Sequence, residues 1–188
     1  MLLKNDGVLP MTSSALRSSH VAVIGPFARC TGASKKDQNG TCYLHSYNGN
    51  PDYVVSIYDA VKNASGGGGG GGGGDVTFAL GSNATCGWRC GWGMKPPPAC
   101  WTEPGAAASA LDDAVAAATV ADVTILAVGL GSDVEAEGCD RFNLTLPAVQ
   151  QELLARVGKV AKKLVVIVVS AGGVDFDDSM ANAVLWAP

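Results

Sequence analysis

Asp133, Glu135, Glu137, Asp140 and Arg141 crowd into one short stretch, GSDVEAEGCDR. Acids so close together repel one another, and one that is partly buried is pushed toward its protonated form. A carboxylic acid kept neutral near pH ~6 can donate its proton to a departing glycosidic oxygen and then act as a base toward water. The plainest alternative is a solvated turn in which Asp140 and Arg141 simply pair.

Elements on either side place this stretch. Val123 to Val128 is a continuous apolar run rich in β-branched residues, as expected of a strand buried on both faces. Downstream, Pro147 suits the first turn of a helix, where no N–H is needed. That helix is expected over Pro147 to Ala161, with Val149, Leu153, Val157 and Val160 on its core face. In a doubly wound sheet, ligands sit at the loops leaving the carboxyl ends of strands. The acidic stretch therefore falls on the rim where a site belongs.

The rest of the chain repeats the alternation. Strands are expected at His20–Gly25, Val76–Leu80, Leu164–Ser170 and Ala183–Ala187. Helical spacing appears at Val54, Ile57, Tyr58 and Val61, and again in the Ala-rich Ala106–Val120. Such alternation predicts an α/β fold: a mostly parallel sheet flanked by helices, an α/β sandwich over residues 20–188. Residues 1–19 read as a connector, with Asn-Asp-Gly, Pro10 and a Ser/Thr cluster. Nine consecutive glycines, residues 66–74, predict a flexible surface insertion.

Composition narrows the function. The chain has 188 residues and a net charge of −4, without the Lys/Arg clusters that nucleic acid requires. Its longest strongly apolar run, Leu164 to Val169, falls far short of the roughly 20 residues that span a bilayer. Six cysteines and four N-glycosylation sequons, at Asn39, Asn63, Asn83 and Asn143, fit a secreted, disulfide-bonded glycoprotein. Cys86, Cys90 and Cys100 favour disulfides over zinc, because the histidines, His20 and His45, are distant and no tetrahedral set is completed. Trp88, Trp92 and Trp101 either stack on sugar rings or fill the core of their own loop.

Three other chemistries fail. Gly25-Pro26-Phe27 lacks phosphate-loop glycine spacing and removes a needed N–H. Gly129-Leu130-Gly131-Ser132-Asp133-Val134 lacks the third glycine of a dinucleotide fingerprint, and no helix opens there. Val168-x-Ser170-x-Gly172 lacks the first glycine of a nucleophile elbow, and no histidine follows it.

The wording of the acidic segment carries a resemblance. EAEGCDRFNLTLPAVQQELL resembles E-x-E-G-x-D-R-x-x-L-x-L-P-G-x-Q-x-x-L of glycoside hydrolase family 3, most closely its plant-type β-xylosidase and α-arabinofuranosidase branch. LLKNDGVLP, VAVIGPFA, YNGNPDY and SAGGVDF are similar to further family segments, in family order. Ala148 in place of a glycine, Ala171-Gly172-Gly173 in place of Gly-Gly-Pro, Asp52 in place of a frequent cysteine, and the glycine run all depart from it.

The resemblance implies the second domain of an exo-acting retaining β-glycosidase, β-xylosidase-like, acting on terminal non-reducing sugars of plant cell-wall-type oligosaccharides. The family's nucleophile is an aspartate of a preceding (β/α)8 barrel in the same polypeptide, absent from this chain; an export signal is expected upstream of that barrel. The sheet is expected to continue beyond Pro188. This domain would supply the acid/base, with Glu137 the first choice, Glu135 the runner-up, and Asp133, Asp140 and Arg141 supporting the loop. The resemblance implies no cofactor and no metal. A degenerate copy that only binds carbohydrate, or a β-glucosidase of the same family, is the alternative.

Overall fold

The computed structural model describes residues 1–29, 54–67, 73–82, 108–131, 134, 135, 138, 140, 141 and 143–188. Asp133, Glu137, all six cysteines, the tryptophans at 88, 92 and 101, and the centre of the glycine run lie outside them.

Among the described residues ten elements follow in order: β1 (Leu2–Asn5), α1 (Ser13–Ser18), β2 (Val21–Ile24), α2 (Ile57–Ala64), β3 (Val76–Ala79), α3 (Ala108–Val120), β4 (Val123–Gly129), α4 (Ala148–Gly158), β5 (Leu164–Val169) and β6 (Ala183–Ala187). The strands form one sheet in the order β1-β6-β5-β4-β2-β3. All neighbours are parallel except β1, which runs antiparallel to β6. The expected mostly parallel α/β architecture is thus the architecture found.

Residues 1–19, read from composition as a connector, carry β1 and α1. Leu2 pairs with Leu185 and Asn5 with Ala183, so the segment forms one edge of the sheet. Strand β3, expected to be buried, is only partly so; it lies at the opposite end of the strand order, and among the described residues β2 is its one neighbour. Pro147 stands at the N-cap of α4, one residue ahead of the first-turn position expected for it. Its extended ψ of 141° leads the chain into the helix without a side-chain cap.

Alternation along the strands divides the core into two layers. Ile24, Leu126, Val128, Val166 and Val184 face α3 and α4, meeting Leu111, Ala114, Ala118, Leu153 and Val157. Val21, Val23, Ile125, Ala127 and Val165 face the other way, toward Leu16 of α1 and Ile57, Tyr58 and Val61 of α2. Ala114 and Ala118 are fully buried, and their small side chains let α3 lie close on the sheet. All seven residues of β4 are buried, as a central strand covered on both faces must be. Emptying one such position, by Leu→Ala for example, costs about 2–5 kcal/mol.

The order in which successive strands are laid down reverses at β2, which pairs with β3 on one side and β4 on the other. The carboxyl ends of β2 and β4 therefore flank the topological switch point, where an open α/β sheet leaves a crevice. Gly25 makes the exit from β2 with φ +115°, and a Cβ there would lie 2.1 Å from the Ala127 carbonyl oxygen. Only glycine fits so close a crossing over β4. This is the plain strand exit expected from Gly25-Pro26.

Candidate active site

The loop from β4 to α4 starts from a fixed floor. Gln150, buried in the first turn of α4, reaches back to the last residue of β4: its Oε1 accepts from the Gly129 N–H and its Nε2 donates to the Gly129 carbonyl, each at 2.8 Å. Gly129 itself lies against β5, where a Cβ would fall 1.9 Å from the Val169 oxygen. The Leu130 N–H then bonds the same Val169 oxygen at 2.8 Å. One buried amide thus does for the strand end what a further ladder partner would do.

From that floor the chain turns. The Val134 N–H bonds the Gly131 carbonyl at 2.9 Å, and the Val134 side chain is buried. This anchors the turn, and the Glu135 N–H bonds the same Gly131 carbonyl at 3.3 Å. Gly138 follows in the left-handed region with φ +75°. Farther on, Asn143 Oδ1 accepts from both the N–H and the hydroxyl of Thr145, and Thr145 forms a parallel bridge with Asp175. The bridge joins this loop to the one leaving β5 through Asp175 N–H to Leu144 O, 2.7 Å, and Leu146 N–H to Asp175 O, 3.4 Å.

The structure brings together two of the predicted site residues. Arg141 Nε lies 2.5 Å from Glu135 Oε2, with the Arg141 side chain 10% exposed. The plain turn would pair Arg141 with its neighbour Asp140; instead its partner is Glu135, six positions earlier. Asp140 is exposed, and no ion pair to it occurs among the described residues. Asp133 and Glu137 lie outside those residues. Arg141 Nη1 also donates to the Gly173 carbonyl at 3.0 Å, crossing to the turn after β5.

Gln150 and Trp186 carry no chemical signal in the sequence, and Ser170 enters it only as a nucleophile that fails for want of a glycine and a histidine. Ser170 closes β5 with its hydroxyl donating to the Gly172 carbonyl at 2.8 Å, and the Trp186 indole N–H bonds the Ser170 carbonyl at 2.8 Å. Gln150 stands out only as a letter of the resembling phrase; one of two adjacent glutamines otherwise gives no sign that it will bond a strand end. Ser170 and Trp186 lie on adjacent strands, a proximity that only the register of β5 with β6 creates.

Arranged like this, the rim presents an acidic loop bound at both ends to the sheet. The Glu135–Arg141 pair lies in the loop that leaves the carboxyl end of the central strand, the edge at which an open α/β sheet leaves its crevice. No helix among the described residues is long and apolar enough to cross a membrane.

Comparison with known proteins gives this architecture a family. The model of the glycosyl hydrolase family 3 C-terminal domain matches residues 1–188. The chain belongs to that family. It is 32% identical over 190 residues to an exo-1,4-beta-xylosidase of Emericella nidulans, covering 99% of this chain and 19% of the relative. An exo-1,4-beta-xylosidase of Aspergillus oryzae is 28% identical over the same length, with the same coverage. The chain thus spans about a fifth of the curated relatives it matches.

Solved structures agree. A family 3 exo-beta-xylosidase in complex with a xylobiose aziridine probe superposes with TM-score 0.67 and 29% identity, covering 98% of this chain and 20% of that one. A family 3 beta-glucosidase of Bifidobacterium adolescentis gives TM-score 0.65 and 29% identity, covering 97% of this chain and 22% of its own. The α/β fold and its place in a glycosidase family are therefore established together.

Proposed function

We propose that this chain is the second domain of an exo-acting retaining β-glycosidase of the β-xylosidase type, and that its β4–α4 loop supplies the general acid/base. The observation that carries the reading is the position of that loop. It leaves the central strand at the carboxyl edge of the sheet, held at Gly129 and at Thr145, in a chain matched along its whole length by this family's domain. The nucleophile would be an aspartate of a barrel domain in the same polypeptide, and the substrate an oligosaccharide held between the two.

Within the loop, Glu137 is the preferred acid/base. Glu135 has its carboxylate occupied by Arg141. A residue that must deliver a proton to a sugar oxygen needs that oxygen, not a guanidinium, within hydrogen-bond reach. The xylosidase reading is favoured over a glucosidase one by the curated relatives, which are named exo-1,4-beta-xylosidases. Secretion, disulfides and N-glycosylation belong to the same proposal; Asn63 and Asn143, the two described sequon asparagines, are both exposed.

The test is a pair of variants in the full-length enzyme, Glu137→Gln and Glu135→Gln, assayed on aryl xylosides with good and poor leaving groups. An acid/base at Glu137 predicts a loss of roughly 100-fold or more on the poor leaving group for Glu137→Gln, with far less on the good one. Equal losses on both substrates would exclude proton donation. A leaving-group-dependent loss confined to Glu135→Gln would move the role to the runner-up. A fully active Glu137→Gln would favour the carbohydrate-binding alternative for this loop.

A further inference from the structure

Two loops meet above the carboxyl end of the sheet, and one side chain joins them. Arg141 holds Glu135 of its own loop through Nε and the Gly173 carbonyl of the β5 turn through Nη1, at 2.5 and 3.0 Å. That turn is itself fixed. Ser170 is 2% exposed, its hydroxyl bonds the Gly172 carbonyl, and the Trp186 indole bonds the Ser170 carbonyl from β6. A run of hydrogen bonds therefore extends from β6 through the β5 turn to the acidic loop. The guanidinium suits this task because its rigid fork engages a carboxylate and a carbonyl at once, which an ammonium on a flexible stem does poorly.

Gly172 makes room for the contact. A Cβ built there would lie 3.0 Å from Arg141 Nη2 and 3.7 Å from Glu135 Oε1, whereas one at Gly173 would meet nothing within 4 Å. Adjacent glycines thus differ: the first is constrained by the clamp, the second is not.

We propose that Arg141 is a positioning residue, which with Glu135 as counter-ion fastens the β4–α4 loop to the turn after β5, and that a side chain at Gly172 would press on its guanidinium. Its consequence for activity rests on the proposed acid/base function; its consequence for loop order does not. Losing a hydrogen bond to a charged group shifts a local opening equilibrium roughly ten-fold or more.

Hydrogen exchange and kinetics on the full-length enzyme test both parts. The amides of Leu146 and Asp175, which join the two loops, should exchange roughly ten-fold faster in Arg141→Met. They should be faster in Gly172→Ala than in Gly173→Ala, which should match the parent. Amides of β4 serve as the folding control and should not change. On an aryl xyloside with a poor leaving group, Arg141→Met should lower kcat on the order of ten-fold or more with KM nearly constant, and Arg141→Lys should restore little.

Unchanged exchange at Leu146 and Asp175 would overturn the clamp. Faster exchange with unaltered kcat, in an enzyme that Glu137→Gln disables, would overturn the positioning role and leave the acid/base reading standing. If Glu137→Gln proves harmless, the acid/base reading fails while the exchange data still decide the clamp.

Discussion

At the scale of single residues, Gln150 and Asp122 mark the two ends of β4. Gln150 satisfies both backbone groups of Gly129 from inside the protein. Replacing it with Leu would leave a buried N–H and a buried carbonyl unpaired, each costing about 1–3 kcal/mol. Urea denaturation of Gln150→Leu should therefore show a loss of about 2–4 kcal/mol, large for one polar residue. A loss below ~0.5 kcal/mol would mean that water or a rearranged loop replaces the amide.

Asp122 stands at the amino end, far from the rim. The His20 backbone N–H, with Lys162 adding a hydrogen bond and its charge, holds this exposed carboxyl below the ordinary aspartate value. A depressed folded value means stability that is present above the unfolded pKa, about 3.9, and lost as pH falls through the folded one. Asp122→Asn should accordingly lower Tm at pH 7, with the gap from the parent closing below pH ~4. Thermal melts across pH 3–7 check this, and a gap that persists at low pH would assign the effect to packing instead of charge.

At the scale of elements, what could be read in the residues depended on how much each element relies on its own chain. β2, β4 and β5 announce themselves as unbroken apolar runs, because a strand covered on both faces has no polar side to show. Helices α2, α3 and α4 followed from their apolar spacing, with ends shifted by a few residues. β1 was not legible. Leu-Leu-Lys-Asn is short, half polar and followed by Asp-Gly, and an exposed edge strand needs only the backbone of its neighbour. The acidic stretch was legible as a loop, but not its wiring. Arg141 bypasses the adjacent Asp140 for Glu135, six positions earlier, with Gly138 between them in the left-handed region. The bonds to Gly173 and Asp175 depend on β4 lying beside β5, which no local pattern declares.

Removal of β1 follows from the same view. Its deletion, residues 1–5, would uncover one side of β6 and break the backbone pairing that runs from Leu2 to Leu185. The expected outcome is a lower Tm and concentration-dependent aggregation, since a bare strand carrying Leu185 and Trp186 invites pairing with another copy. Light scattering during a thermal ramp measures both. A shortened chain that melts like the parent and stays monodisperse would show that β6 needs no partner on that side.

At the scale of the whole molecule, the domain is half of an argument about chemistry. Its sheet holds an acidic loop at the rim, and its relatives are several times longer glycosidases. What the fold contributes is placement: a covered central strand, a glutamine-locked strand end and a neighbouring turn against which the loop is tied. The retaining mechanism divides the work between an acid/base and a nucleophile about 5–5.5 Å apart, on opposite faces of the scissile bond. Two domains can hold those groups only if each keeps its own loop fixed.

The most direct measurement is the product that full-length Glu137→Gln forms from a xyloside with an activated leaving group in the presence of azide. With the acid/base gone and the covalent intermediate still able to form, azide needs no base to attack it. Faster turnover and accumulation of the β-configured glycosyl azide, seen by NMR, are the expected result. Turnover indifferent to azide, with free xylose as the sole product, would contradict it.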